Sequence, residues 1–222
     1  DNYHEYSLME SIISETEKLL SDKTLGTVND RALLLNNKAM LPMNRNDKPA
    51  KSISMMNKAL SICDSNANSV LFANINMNLG LLYIENKETE RGLEFMDKAY
   101  LFIKLTRTYN DDFITIARNY ATALSENSRV TKAIEVLKEC EFATEGCCSN
   151  NHAALLYDLG AAYILSGNYP LAVKKYSLAF AEYFALGCSE ELTARKITAA
   201  QQMQRYGFEY PKEWETDYLE RS

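Results

Sequence analysis

The 222-residue sequence predicts an all-α fold, an α-solenoid of antiparallel helix pairs with about four units between N- and C-terminal helices. Three observations predict it. Glycine and proline are scarce, 8 and 4 residues, and strand-like alternation is hard to find, whereas apolar steps of three and four recur throughout. The stretch YDLGAAYILSGNYPLAVKKYSLAFAEYFALG, Tyr157 to Gly187, reads as a helical hairpin broken at Gly167-Asn168. Leu156, Leu159, Gly160 and Tyr163 share one helix face, and Ala172, Tyr176 and Ala179 share another after the break. Finally, the string repeats. Leu79, Gly80 and Tyr83 are followed by Gly92, Met96 and Ala99 at the same offsets. Weaker copies read Tyr120, Ala121, Leu124 with Ala133, Leu137, Cys140, and Ala39, Met40, Met43 with Ser52, Met56, Ala59. The closing small residues Ala59, Ala99, Cys140 and Ala179 lie 40, 41 and 39 residues apart.

The elements follow in order within one domain, 1–222. Residues 3–24 are amphipathic through Leu8, Ile12, Leu19 and Leu20, and form either a cap or the second helix of a preceding unit. Four units cover 29–66, 67–108, 110–148 and 150–187. Residues 189–222 are a C-terminal capping helix and an aromatic tail. Ser189 is the expected N-cap, with Glu190 and Glu191 in the first turn, where the helix dipole favours acids. The tail holds Tyr206, Phe208, Tyr210, Trp214 and Tyr218, and packs on the last unit, starts another helix or docks elsewhere.

These residues carry a family resemblance. The array resembles tetratricopeptide (TPR) repeats, whose pattern is met by Leu159-Gly160-x-x-Tyr163 and Ala172-x-x-x-Tyr176, with Leu156 at the Trp position. It departs at the closing Pro, replaced by Asp64, Lys104, Glu145 and Phe184, and in its period, longer than the usual ~34 residues. The surplus is expected after each closing small residue, in a longer second helix and its exit. Long units of this kind resemble those of kinesin light chains and of bacterial regulators that use a TPR array as a sensor.

The net charge of −6 and the absence of a basic cluster argue against a nucleic-acid footprint. No apolar stretch reaches the ~20 residues that span a bilayer. The segment DNYHEYSLME lacks a signal-peptide core, and the start at Asp1 reads as a fragment or a processed product. Five cysteines without a CxxC suggest a reducing, cytoplasmic setting. His4 and His152 have no ligand cluster nearby and read as solvated or capping, so no metal and no cofactor is expected. No GxSxG, HExxH or phosphate loop is found, so no catalytic residue is assigned and the chain is not expected to be an enzyme. Cys147-Cys148 falls in an inter-helix loop.

The resemblance implies that first helices line a concave groove that holds ligands. Counting back from the Gly position places Asn37, Lys38, Asn74, Met77, Asn78, Arg118, Asn119, Tyr157 and Asp158 there. An Asn amide both donates and accepts, so an Asn row suits an extended peptide backbone, while Met77 and Tyr157 would supply side-chain pockets. The bland alternative is that these Asn side chains bond their neighbours inside the array. A clamp for a C-terminal carboxylate would have only Lys38 and Arg118 as cations and Asp158 against it, so basic or neutral peptides suit the site better. The expected function is a protein- or peptide-binding module, part of a larger bacterial regulator, binding neither nucleic acid nor membrane. The alternatives are a self-associating scaffold, such as a homodimer, and a small-molecule sensor.

Overall fold

The computed structural model describes residues 2–22, 24–43 and 49–214. Ten α-helices lie among them: α1 (Asn2–Ser21), α2 (Val28–Met43), α3 (Pro49–Ile62), α4 (Ser69–Glu85), α5 (Thr89–Leu105), α6 (Asp111–Glu126), α7 (Val130–Ala143), α8 (Asn150–Leu165), α9 (Tyr169–Ala185) and α10 (Ser189–Arg205). A 3-10 turn at Lys212–Trp214 follows. The chain divides into two compact blocks, Asp1–Thr108 and Tyr109–Ser222. In the first block α2 pairs with α3 and α4 with α5; in the second α6 pairs with α7 and α8 with α9. The fold is the all-α solenoid of helix pairs that the spacing predicts.

Local chemistry explains the hairpins. Asn68, Asn110 and Ser149 cap α4, α6 and α8 by accepting the amides of Leu71, Phe113 and His152. Each satisfies a donor that a helix start leaves orphaned. These first helices end alike. The amides of Glu88, Arg129 and Asn168 return to the carbonyls of Tyr83, Leu124 and Tyr163 at 2.8, 2.8 and 2.9 Å. The residue before each donor has positive φ: Lys87 at 64°, Ser128 at 62° and Gly167 at 75°. This Schellman closure reverses the chain within three residues.

The repeated small residues then admit the second helix. Ala39, Ala59, Ala99, Cys140, Ala172 and Ala179 are fully buried. A Cβ built on Gly80 would lie 2.7 Å from the Gly92 carbonyl oxygen and 2.4 Å from Met96 Cγ. One on Gly160 would lie 2.7 Å from the Tyr176 ring. Met56, Ile75, Leu79 and Leu82 fill the core of the first block; Phe113, Tyr120, Leu159 and Tyr176 fill that of the second.

Some expectations change. Ser189 is not the N-cap of α10: the helix begins there, and Cys188 precedes it without a capping side-chain bond. His152 is neither solvated nor a side-chain cap. It is buried, and its Nδ1 faces Glu182 Oε2 at 2.8 Å. The surplus of each unit falls, as the spacing predicts, in the second helix and its exit: α5 and α9 run on to Leu105 and Ala185, whereas α3 and α7 stop at Ile62 and Ala143, before links of six residues. The tail packs on the last pair. Phe208 stacks on Tyr169 at 5.1 Å, and Trp214 meets Tyr176 and Phe180 edge-on at 5.8 and 5.1 Å. Tyr218 lies outside the described residues.

The contact at Gly80 yields a stability prediction. Gly80→Ala gains up to ~1 kcal/mol of helix propensity, but it drives a Cβ against backbone, where overpacking costs about 1–3 kcal/mol. Urea denaturation should show a lower midpoint than wild type. A higher midpoint would mean that α4 and α5 can separate at no cost.

Candidate functional site

The first helices of each block bring together polar side chains that are far apart in sequence. In the first block Asn36, 7% exposed, accepts the Asn78 amide at 2.9 Å and donates to Asn37 Oδ1 at 3.1 Å. Lys38 is held by both carboxylate oxygens of Glu17 on α1 at 2.7 Å. Asn37 is exposed, and Asn74 and Asn78 are half-buried. Met77 is 2% exposed, so its side chain belongs to the core rather than to a surface pocket. The sequence reading did not single out Asn36. Its distance of 42 residues from Asn78, close to the repeat, was the available signal.

In the second block Arg118 Nε donates to Asp158 Oδ2 at 2.7 Å, with both side chains 21% exposed. Burial holds the Asp158 carboxyl above its ordinary range, against the pull of Arg118 and Arg195. Tyr157 is 5% exposed. Its ring lies under the Arg195 guanidinium at 4.7 Å, and burial pushes its phenol up to about 12. The Tyr157 hydroxyl has no hydrogen-bond partner among the described residues. Asn119 is exposed.

Beside the Arg118–Asp158 pair, α6 and α8 form the walls of a groove of about 360 Å³. Thr122, Ser125 and Glu126 make a polar wall on α6; Asp158, Ala161 and Leu165 line α8, and Leu137 of α7 lies beneath. Such a groove offers hydroxyls and a carboxylate to a backbone, and small apolar side chains to an apolar one. Of the expected residues only Asp158 lines it. The rest went unnoticed because Thr, Ser and Ala on a helix carry no signal until a second helix faces them.

The described residues contain no group of three His, Cys, Asp or Glu able to hold a metal, and no helix long and apolar enough to cross a membrane. Cys147 and Cys148 are exposed on the link before α8.

Paired helices with closing small residues, stacked through their first helices, define a TPR-like α-solenoid. Solved structures agree. BtubC (BKLC) from P. vanneervenii superposes with a TM-score of 0.65 at 16% identity, over 84% of this chain and 76% of that one. The nearly identical TPR-like repeats described as a kinesin light chain of Podosopora anserina give 0.63 at 16% identity, over 82% and 90%. A point variant of those repeats gives 0.64 at 16% identity, over 84% and 92%. Likeness at this identity carries the fold alone. No protein-family model and no curated protein matches the sequence.

The Arg118–Asp158 pair generates a second prediction. Arg118→Ala leaves a carboxylate buried without its cation, at a cost of about 3–5 kcal/mol for a fully buried pair and less at this exposure. The Arg118→Ala/Asp158→Asn double variant should recover part of the loss. A folded-state carboxyl raised above its unfolded value costs stability as pH rises through the raised value. Without Arg118 the Asp158 carboxyl rises further, so the deficit of Arg118→Ala should shrink from neutrality toward the ordinary 3.8. A deficit independent of pH would mean that Asp158 is hydrated.

Proposed function

We propose that the chain is a non-catalytic interaction module that holds a segment of a partner protein in the groove between α6 and α8. The groove itself, about 360 Å³ with a hydroxyl-bearing wall facing an alanine-lined one, is the observation that carries this reading. Exposed Asn119 adds an amide on α6. The Arg118–Asp158 bond holds α6 and α8 beside the groove, with Asp158 in its lining. Within the same reading the chain is the interaction part of a larger regulatory protein. Five free cysteines support a reducing, cytoplasmic setting.

Selection of phage-displayed random peptides tests the proposal. Wild type should enrich a set of sequences, and Thr122→Arg/Ala161→Arg, with unchanged helicity by circular dichroism, should bind them at least about tenfold more weakly, ~1.4 kcal/mol. Equal affinity for the plugged variant, or no enrichment by wild type, would overturn the groove as the binding site.

A further inference from the structure

The groove between α6 and α8 carries charge of one sign. Among the described residues that line it, Glu126 and Asp158 are the charged ones, and no Lys, Arg or His joins them. The two carboxylates differ. Asp158 is largely buried and accepts Arg118 Nε at 2.7 Å, so its charge is answered inside the fold. Glu126 is exposed, and among the described residues no hydrogen bond or ion pair reaches it.

The backbone adds to this imbalance. Glu126 is the last residue of α6 and Leu165 the last of α8, and both line the groove. The carboxyl end of a helix is its negative pole, where cations are favoured and acids are not. Neither α6 nor α8 has a basic residue in its last turn, and Arg129, beyond the turn that follows α6, does not line the groove. Glu126 thus stands where its own helix disfavours an acid, with no side chain to relieve it. The repeat sets Glu126 level with Leu165, seven residues beyond Asp158, so the two carboxylates lie toward opposite ends of the groove, about 10 Å apart along α8.

We infer that the segment held in this groove carries a lysine or arginine side chain that pairs with Glu126 at the carboxyl end of α6, followed by an uncharged stretch over Ala161 toward Asp158. The inference rests on the groove being the binding site. A basic side chain there meets the unanswered carboxylate and the negative poles of two helices together. The Ser125 hydroxyl accepts a further N–H, and Leu165 covers the aliphatic stem. Asp158, already paired with Arg118, calls for no second cation, so the basic residue fixes the register of the segment. An acidic residue in its place would face like charge, which costs affinity and excludes wrong partners.

Parallel selections of phage-displayed peptides on wild type and on Glu126→Lys test the inference, with helicity of each checked by circular dichroism. Peptides enriched by wild type should share a Lys or Arg at one position, and those enriched by Glu126→Lys an Asp or Glu there. For a synthetic copy of a wild-type peptide, replacing its basic residue by Ala and making Glu126→Gln in the protein should each weaken binding about fivefold, the upper range for an exposed ion pair. The two changes together should cost no more than either alone. Peptides without a shared basic residue, an unchanged basic preference of Glu126→Lys, or losses that add in the double change would each overturn the inference. If such peptides are still lost to Thr122→Arg/Ala161→Arg, the groove stands as the site and its occupant is a segment of other charge. Indifference to that plugged variant, or no enrichment by wild type, would overturn the groove and the inference together.

Discussion

The backbone approach between first and second helices is the constraint on which the rest of the molecule depends. At Gly80 and Gly92 a side chain on either helix would strike a carbonyl oxygen of the other. Distance and angle between α4 and α5 are therefore set by backbone rather than by adaptable side chains. At Gly160 the ring of Tyr176 takes the place of the missing side chain, so α8 and α9 reach close packing by a different route. Close-packed interiors tolerate little change in volume. The positions that accept Gly, Ala or Cys thus recur through the array while the large residues between them vary among Met, Leu and Tyr.

With the pairs fixed, polar contacts between successive first helices set what the first-helix face can offer. Asn36 and Asn78 bond each other, and Arg118 and Asp158 bond each other, so these side chains hold helices in register. A half-buried ion pair orients more than it stabilises, because desolvation offsets much of the attraction. Beside the Arg118–Asp158 bond, Thr122, Ser125 and Ala161 flank the groove.

Much of the fold was legible in sequence, because a repeat states the same steric requirement several times. Leu79-Gly80-x-x-Tyr83 and Leu159-Gly160-x-x-Tyr163 placed both helices of two units, and Ala59 and Cys140 located the weaker ones. The site was less legible. Counting from glycine identifies the helix face but not which polar residue points at the neighbouring helix, so the count reaches Asn37 and Lys38, whereas Asn36 makes the contact with Asn78. Met77 and Tyr157 sit one position along the helix, and that rotation takes them into the core. Helix ends were legible only where chemistry was local: Asn168 caps α9, but the expected cap at Ser189 falls inside α10. His152 gave no sign of Glu182, 30 residues away.

The three-residue turns after α4, α6 and α8 bear on how the chain is made. A turn that brings helix partners together at once costs little loop-closure entropy, and a fold rich in such local contacts reaches its native topology quickly. Each of these three hairpins has its own cap and its own reversal. α8 and α9 are made one directly after the other, so their pairing waits for no distant segment. The last pair is the exception: Tyr176 and Phe180 on α9 wait for Trp214, made well after the hairpin itself.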